Sequence, residues 1–224
     1  MNVVIFGTTG MVGQGVLREC LLDPGVTSVL SIGRRATGQQ HPKLREILHA
    51  DLLDFSALEG ELAGLDACFF CLGISSTGMT EEAYRRVTHD ITVAAATTLV
   101  RLNPGMTFVF VSGAGTDSSE RGRTMWARIK GMTENALLRL PFKAVYLFRP
   151  GVIQPLHGIQ SRTRLYRLLY VVTAPLLPLL KRLFPNQITT TEQIGRAMLA
   201  VVRHGAPKAI LDPADINRAA AATL

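Results

Sequence analysis

The chain opens with the stretch MNVVIFGTTGMVGQGV, residues 1–16, in which an apolar run ends at Gly7 and a helix-compatible pattern follows. A short apolar run bounded by glycine is typical of a parallel strand that is buried on both faces. The stretch therefore predicts a buried strand, a tight turn and a helix, in that order.

Three glycines of this turn, Gly7, Gly10 and Gly13, lie three residues apart. In a dinucleotide-binding turn, one glycine makes the bend, one lets the backbone approach a pyrophosphate, and one lets helix and strand pack closely. The helix that follows offers free N–H groups and the positive end of its dipole to the phosphates. The hydroxyls of Thr8 and Thr9 are candidate additional donors. The GxxGxxG spacing departs from the GxGxxG form, but its place between a strand and a helix indicates a dinucleotide site.

Strand-like and helix-like patterns alternate along the rest of the chain. We predict strands at 2–6, 26–32, 45–49, 67–72, 106–112, 143–148 and 208–211. We predict helices at 10–22, 56–62, 80–102, 121–140, 161–183 (broken by prolines) and 191–204. Strands separated by helices favour a parallel sheet with helices on both faces, and right-handed crossovers make it doubly wound. We expect one α/β domain over residues 1–224, a Rossmann fold, with residues 151–190 as a small helical lid near the C-terminus.

The chain has 224 residues, of which 47% are hydrophobic, and a formal net charge of +7. No nucleic-acid motif accompanies this charge, so we expect no nucleic-acid partner; much of the excess lies within 162–182. Between Arg167 and Lys181 stand only thirteen uncharged residues, fewer than the roughly 20 that a membrane-spanning helix needs. Two interpretations of this segment remain: an apolar lid over a substrate pocket, or an amphipathic surface that makes peripheral contact with a membrane or a partner subunit.

Three cysteines, Cys20, Cys68 and Cys71, make an odd number of thiols. Cys68 and Cys71 form a CxxC pair, but they lie on a predicted strand, where residues three apart point to opposite faces. Buried structural cysteines are therefore favoured over a redox or metal pair. The five histidines show no ligand spacing, so we predict no metal site. The apolar start has no basic leader, so we expect no signal peptide and a cytoplasmic location.

The second predicted strand runs into Gly33, Arg34 and Arg35. A site that prefers NAD places a carboxylate here for the ribose 2′-hydroxyl, and none is present. Guanidinium groups suit a 2′-phosphate through charge-assisted, bidentate hydrogen bonds. We predict NADPH (NADP) as the cofactor; the alternative is that the two arginines belong to a solvated loop.

Seven short motifs, in this order and spacing, carry a resemblance to a known family. They are 7–13 (GTTGMVG), 33–35 (GRR), 51–52 (DL), 71–73 (CLG), 111–114 (VSGA), 130–131 (KG) and 148–151 (FRPG). Over nearly its whole length the chain resembles the atypical short-chain dehydrogenase/reductases, and in particular the small NADPH-binding branch. That branch includes the Tat-interacting oxidoreductase-like proteins and many bacterial epimerase/dehydratase-like chains.

The resemblance implies a set of cofactor contacts. Phosphate contacts would come from Gly7, Thr8, Thr9, Gly10, Met11, Val12 and Gly13, with Arg34 and Arg35 on the 2′-phosphate. Asp51 and Leu52 would border the adenine, and Cys71, Leu72 and Gly73 would pass along the adenosine and ribose. Phe148, Arg149, Pro150 and Gly151 would lie near the nicotinamide. The resemblance also implies a homodimer formed through the helices at 80–102 and 121–140.

The same resemblance implies a catalytic group of Ser112, Lys130 and a tyrosine four residues before the lysine. Ser112 would polarise a substrate carbonyl, and Lys130 would hold the nicotinamide ribose and lower the pKa of the tyrosine. Trp126 stands at the tyrosine position, and an indole N–H is only a donor, with no acid–base chemistry near neutral pH. The four tyrosines of the chain, Tyr84, Tyr146, Tyr166 and Tyr170, do not precede a lysine by four residues.

Two functions fit this departure. One is a reductase that works without the tyrosine on an apolar small molecule, such as a flavin, quinone or enone, which Ser112 and Trp126 would orient. The other, which the resemblance supports, is a non-catalytic NADPH-binding regulator or scaffold with a protein partner. A sugar-nucleotide epimerase is disfavoured, because only residues 151–190 are available as a substrate lobe.

Overall fold

A computed structural model describes residues 1–159 and 187–222 of the chain. Its main sheet has seven strands, all paired in parallel. They are β1 (Asn2–Phe6), β2 (Ser28–Gly33), β3 (Leu44–Leu48), β4 (Ala67–Phe70), β5 (Thr107–Val111), β6 (Ala144–Phe148) and β9 (Ile210–Leu211). A second, two-stranded parallel sheet is formed by β7 (Val152–Gln154) and β8 (Ile188–Thr190).

The described helices flank the main sheet. They are α1 (Met11–Leu22), α2 (Glu81–Arg85), α3 (Ile91–Leu102), α4 (Met125–Leu138), α5 (Thr191–His204) and α6 (Pro213–Ala221). A π-helical turn, Arg86–Asp90, joins α2 to α3. Across residues 1–159 and 187–222, none of the helices combines the length and the apolar character needed to cross a bilayer.

The strand order is β3-β2-β1-β4-β5-β6-β9. The chain moves outward from β1 to β3 and then returns to the other side of β1 with β4. The order therefore reverses between β1 and β4, and such a reversal opens a crevice at the carboxyl ends of the strands, where α/β proteins bind their ligands. The predicted doubly wound Rossmann sheet is confirmed.

Residues of β1 alternate between two apolar layers, which explains the continuous apolar run in the sequence. Val3 and Ile5 pack in the layer of α1, α5 and α6. Val4 and Phe6 pack in the layer that holds residues of α3 and α4. Both faces of the strand are buried, as a central parallel strand requires.

The two cysteines of the CxxC pair lie in these opposite layers, as predicted from their spacing. Cys68 packs in the layer of α3 and α4, and Cys71 packs against the layer of α1 and α5. Burial raises the pKa of both thiols, so both stay protonated. The described residues bring together no group of three or more His, Cys, Asp or Glu side chains that a metal ion would need.

Several predicted elements differ from those observed. The predicted helix at 56–62 is a single 3₁₀ turn, Ser56–Leu58, because Gly60 and Gly64 follow it and glycine disfavours helix. The predicted helix at 80–102 contains the π-helical turn, and the one at 121–140 begins only at Met125. The helix predicted at 161–183, and with it most of the expected lid, lies outside the described residues.

Three elements were not predicted: β7, β8 and α6. The two strands have three residues each, too few for a period of two to show. The start of α6 did carry a signal, since Asp212 and Asp215 form a capping box around Pro213 in the first turn. Aspartate before a proline is a common way for a helix to begin.

Candidate functional site

The glycine turn after β1 is built by close backbone contacts. Gly7 has a φ of +82°, and a Cβ placed on it would lie 2.6 Å from the Leu72 backbone nitrogen. A Cβ on Gly13 would lie 2.1 Å from the Gly7 carbonyl oxygen. Only glycine fits at either position, so Gly7 makes the bend and Gly13 lets α1 pack against it, as the spacing predicts.

The start of α1 is free to bind an anion. Gly10 is the N-cap residue, and no side chain caps the helix. The first backbone N–H groups of a helix have no partner within it, and together with the helix dipole they favour negative charge. Gly10, Met11 and Val12 all line an open cleft here. These backbone N–H groups are therefore accessible where a pyrophosphate would lie.

That cleft has a volume of about 630 Å³ and runs along the carboxyl ends of β1, β4, β5 and β6. This size is typical of sites for cofactors and other small molecules. It is lined by Gly7, Thr9, Gly10, Met11, Val12, Arg34, Cys71, Leu72, Gly73, Ile74, Ser75, Val111, Ser112, Lys130, Pro150, Gly151 and Ile153. The structure thus brings most of the predicted site residues together in one place.

The two arginines after β2 are not equivalent. Both are exposed, but Arg34 lines the cleft and Arg35 does not. Within residues 1–159 and 187–222 the Arg34 guanidinium forms no hydrogen bond or ion pair with another residue. A free guanidinium beside the glycine turn is placed to meet a phosphate group. The structure therefore distinguishes Arg34 from Arg35, which the sequence pattern alone does not.

Thr8 is used inside the fold rather than in the cleft. Its side chain is buried, and its hydroxyl shares a hydrogen bond of 2.8 Å with the Ser31 hydroxyl of β2. The expectation that Thr8 donates to a phosphate is wrong for this reason. Thr9, by contrast, lines the cleft.

Asp51 and Leu52, expected beside the adenine, do not line the described cleft. Leu52 is only 4% exposed and packs with Phe6 and Phe55 in the apolar core. The Asp51 carboxylate accepts a hydrogen bond from the backbone N–H of Leu53 at 3.0 Å, which closes a local turn. Both side chains therefore serve the local fold.

The Ser112 hydroxyl lies at the cleft, but its proton is engaged. Thr116 donates its hydroxyl proton to the Gly113 carbonyl at 2.8 Å. Thr116 is therefore left to accept in its 2.8 Å hydrogen bond with Ser112, and Ser112 is the donor of that bond. Polarising a substrate carbonyl would require Ser112 to give up this partner.

Lys130 projects from α4 to the end of β5. Its Nζ donates to the carbonyl oxygens of Val111 at 3.4 Å and Ser112 at 3.2 Å, and it lies 5.6 Å from the centre of the Phe110 ring. Burial lowers the pKa of this lysine to about 8, and the negative charge of Glu134 limits the fall. The side chain therefore reaches the cleft as an ammonium group that two backbone carbonyls hold in place.

Trp126 does not line the cleft. A Cβ placed on Gly115 would lie 3.4 Å from the indole, so the ring packs over the loop that follows β5. Gly115 has a φ of +86°, a left-handed conformation that favours glycine. The indole thus covers this loop and is not among the residues that line the described cleft, where a group that orients a substrate would lie.

Arg149 is also directed away from the cleft. It forms a bidentate ion pair with Glu134 of α4, whose side chain is 1% exposed, and its Nη2 donates to the Ser118 hydroxyl. A buried carboxylate requires such a partner. Arg149 therefore joins the end of β6 to α4, while its neighbours Pro150 and Gly151 do line the cleft.

No tyrosine of the described residues replaces the missing one in the cleft. Tyr84 is 2% exposed within α2, and Tyr146 of β6 accepts a hydrogen bond from the Ala206 backbone N–H. Neither lines the cleft. Tyr166 and Tyr170 lie outside the described residues.

Sequence reasoning missed four cleft residues: Ile74, Ser75, Val111 and Ile153. Val111 stands in the 111–114 motif, but only Ser112 of that motif was given a role. Ile74 and Ser75 directly follow the 71–73 motif, so the position of that motif at a strand end was the available signal. Ile153 belongs to the short strand β7 and carried none. Ile74 and Ile153 add apolar surface on the side of the cleft away from Arg34.

A family model described as the NAD dependent epimerase/dehydratase family matches residues 3–120, which contain the glycine turn, Arg34 and Ser112. Among curated proteins, the chain is 26% identical over 158 residues to "Protein fmp52-2, mitochondrial" of Aspergillus oryzae, covering 68% of this chain and 67% of that protein. It is 27% identical over 155 residues to "Protein HTATIP2" of Rattus norvegicus, covering 68% of this chain and 62% of that protein. The chain thus spans about two thirds of the length of the curated relatives it matches.

Among solved structures, the enzyme WbmF of Bordetella bronchiseptica in complex with NAD+ has a similar fold. It superposes with a TM-score of 0.67 at 16% identity, covering 97% of this chain and 76% of that one. At this level of identity the likeness shows the fold, and the bound nucleotide is a property of WbmF.

One expectation is corrected by these relatives. A cytoplasmic location was inferred from the lack of a basic leader, which bears on secretion alone. Several fungal relatives carry the word mitochondrial in their names. The predicted cytoplasmic location is therefore wrong as a deduction from this sequence.

Proposed function

The chain belongs to the NAD dependent epimerase/dehydratase family, and from this premise we propose that it binds NADPH and reduces an apolar small molecule without the usual catalytic tyrosine. Members of this family bind a nicotinamide dinucleotide at the glycine turn. The preference for NADPH and the reduction of an apolar acceptor are the parts that we propose.

One observation carries the cofactor proposal: the uncapped start of α1 and the Arg34 side chain line the same cleft. In this proposal Gly10, Met11 and Val12 hold the pyrophosphate through backbone N–H groups. Arg34 holds the 2′-phosphate, and Lys130 lies at the nicotinamide ribose. When bound, the nicotinamide supplies a hydride.

The apolar character of the substrate is supported by the other side of the cleft. Ile74, Val111 and Ile153 line it there, and Ile74 is 37% exposed. Exposed apolar surface in a concave site favours an apolar ligand. A quinone or an enone has both the apolar body and the carbon that accepts a hydride.

Cofactor binding is tested by fluorescence, because the chain has a single tryptophan, Trp126. NADPH absorbs where tryptophan emits, so saturable quenching of this emission on addition of NADPH would report a bound nucleotide. No saturable change, with calorimetry agreeing, would refute the cofactor proposal. Reduction is tested by following NADPH oxidation with a panel of flavins, quinones and enones; no oxidation across the panel would refute the reductase.

A second candidate is a non-catalytic NADPH-binding regulator that binds a protein partner. The observation in its favour is that Trp126 lies outside the cleft and the Ser112 proton is engaged by Thr116. Affinity capture of partners with and without NADPH tests it. Capture that does not change with the nucleotide would count against a sensing role.

Two contacts proposed from the sequence stay proposals. One is a homodimer formed through α2, α3 and α4, which sedimentation equilibrium tests. The other is peripheral binding to anionic membranes through residues 162–182, which liposome flotation at low salt tests. Protein that stays in solution would leave the lid as the interpretation of that segment.

A further inference from the structure

The Lys130 ammonium uses two of its three N–H groups in hydrogen bonds to the protein, and the third has no protein acceptor among these contacts. Its Nζ donates to the carbonyl oxygens of Val111 and Ser112, and an ammonium group has three N–H donors. Lys130 lines the cleft, so the third N–H is the one available to a bound ligand. A neutral amine keeps two N–H groups for the same carbonyls. The two carbonyls therefore hold the protonated and the neutral lysine in one orientation, with the third position exchanging between a proton and a lone pair.

Other groups that line the described cleft are poorer proton donors. Arg34 does not deprotonate in proteins. Burial raises the pKa of the Cys71 thiol, so it holds its proton tightly. The Ser112 proton is directed to Thr116. Among the groups that line the described cleft, Lys130 therefore combines an orientation fixed by two backbone carbonyls with a pKa lowered to about 8.

We propose that Lys130 donates the proton to the carbonyl oxygen of the substrate, in place of the tyrosine whose position Trp126 occupies. This inference rests on the proposed function and narrows it. It assigns the substrate to carbonyl compounds, such as quinones and enones, in which hydride transfer leaves negative charge on an oxygen. Flavins, which accept the hydride at a ring nitrogen, fall outside this class.

The step balances as follows. The carbonyl compound gains a hydride from the reduced nicotinamide, which is the reductant, and the carbonyl π electrons move to oxygen. The Nζ–H bond of Lys130 breaks and an O–H bond forms, while the N–H electron pair stays on Nζ. Lys130 is left neutral, still donating to Val111 and Ser112, and it regains a proton from water.

The charges around Lys130 suit this role. Glu134, one turn further along α4, is the charged group that acts on it, and Arg149 from the end of β6 pairs with Glu134. From the π-helical turn, His89 faces Thr133 rather than the lysine, at 3.4 Å; burial lowers the pKa of His89, so it adds no positive charge at neutral pH. With a lysine pKa of about 8, the donor form predominates below pH 8 and is lost above it.

The experiment separates proton donation from cofactor binding. In the full chain, Lys130→Arg keeps a cation and its hydrogen bonds but cannot give up a proton, whereas Lys130→Met removes both. With NADPH and 9,10-phenanthrenequinone as probes, we expect Lys130→Arg to lower kcat by about 100-fold or more and to change the Kd for NADPH by less than about threefold. We expect Lys130→Met to lower kcat as much and also to weaken NADPH binding. Circular dichroism and the Tm confirm that each variant folds.

Two further readouts begin with the wild-type protein and do not depend only on comparing kcat between variants. First, kcat of the wild-type protein should fall as pH rises above about 8, and added primary amines should partly restore turnover to Lys130→Ala. Second, NMR of ¹⁵Nζ-labelled lysine in the protein without cofactor should show one lysine that titrates near pH 8. That signal should be absent from the Lys130→Arg spectrum.

Several results would overturn the inference: more than a tenth of wild-type kcat in Lys130→Arg, a flat pH profile, or no lysine that titrates below about pH 9.5. Loss of the pH dependence of kcat in the double variant Tyr166→Phe/Tyr170→Phe would assign proton donation to a tyrosine and would likewise overturn the inference. A wild-type protein that binds NADPH but reduces no carbonyl probe also overturns it, while cofactor binding stands. A wild-type protein that binds no NADPH would refute the proposed function itself.

Discussion

The Arg149 guanidinium binds both carboxylate oxygens of Glu134, with its Nε 3.0 Å from Oε1 and its Nη2 on Oε2. Glu134 is almost fully buried, and the Arg149 side chain is 15% exposed. The pair connects the end of β6 to α4, the helix that carries Lys130. The carboxylate also acts on the ammonium of Lys130, so one buried pair supports both the position and the charge of that lysine.

Breaking the pair between Arg149 and Glu134 should lower the free energy of unfolding. Removing one partner of a buried ion pair leaves an uncompensated charge and typically costs about 3–5 kcal/mol. We expect Glu134→Ala to lower the free energy of unfolding by about that amount, as measured by urea denaturation. The matched control is Glu59→Ala, which breaks the exposed pair with Arg101 and should cost less than about 1 kcal/mol. Equal losses in the two variants would contradict the structural role given to Arg149.

The lowered pKa of Lys130 also makes a prediction about stability and pH. The folded protein releases this proton near pH 8, whereas an unfolded chain holds it to about pH 10.4. Between these values the unfolded state binds more protons, so stability rises with pH, by of the order of 3 kcal/mol for this group. We expect the wild-type protein to gain stability over Lys130→Met between pH 8 and 10.5 in urea denaturation. Parallel curves for the two proteins would contradict the lowered pKa of Lys130.

The elements nearest the glycine turn could be predicted because their signals are local. The apolar run of β1 and the spacing of Gly7, Gly10 and Gly13 act within sixteen residues of one another. Alternation of strands and helices then gave the parallel sheet. Most cleft residues follow from these two facts, because motifs that end neighbouring parallel strands meet at one edge of the sheet.

The errors concern side chains whose partners lie far away in the sequence. Thr8 bonds to Ser31, and Arg149 bonds to Glu134; neither partner is marked by the pattern around the residue itself. Trp126 lies one turn before Lys130 on the same helix, yet it packs over Gly115. A motif fixes where a backbone segment lies, whereas tertiary contacts decide whether a side chain faces the site.

The glycine turn allows a test of packing against binding. Gly13→Ala would place a Cβ 2.1 Å from the Gly7 carbonyl oxygen, and forcing backbone apart in this way costs about 1–3 kcal/mol or more. Gly73→Ala adds a methyl group to the open cleft, where nothing lies within 4 Å. We expect Gly13→Ala to lower the Tm and Gly73→Ala to leave it unchanged but weaken NADPH binding. Gly60→Ala, with open space around it and outside the cleft, is the control that should change neither.

Cofactor preference gives the sharpest comparison, because the chain carries its own control. Arg34 lines the cleft and its neighbour Arg35 does not, although both are exposed. If Arg34 holds the 2′-phosphate, Arg34→Ala removes charge-assisted hydrogen bonds worth about 1.5–3 kcal/mol, which corresponds to about a 10- to 150-fold rise in the Kd for NADPH. NADH lacks that phosphate, so its Kd should change by less than about twofold.

Arg35→Ala removes the same charge from the same loop and therefore measures the effect of net charge alone. We expect it to weaken both nucleotides by about twofold at most, and less as salt rises, since an exposed charge is screened. Calorimetric titration of the three proteins with NADPH and NADH gives the six Kd values that decide the matter. Equal losses for both nucleotides in Arg34→Ala would refute the preference for NADPH. Equal effects of the two arginine variants would instead mean that the loop attracts the nucleotide only through its total charge.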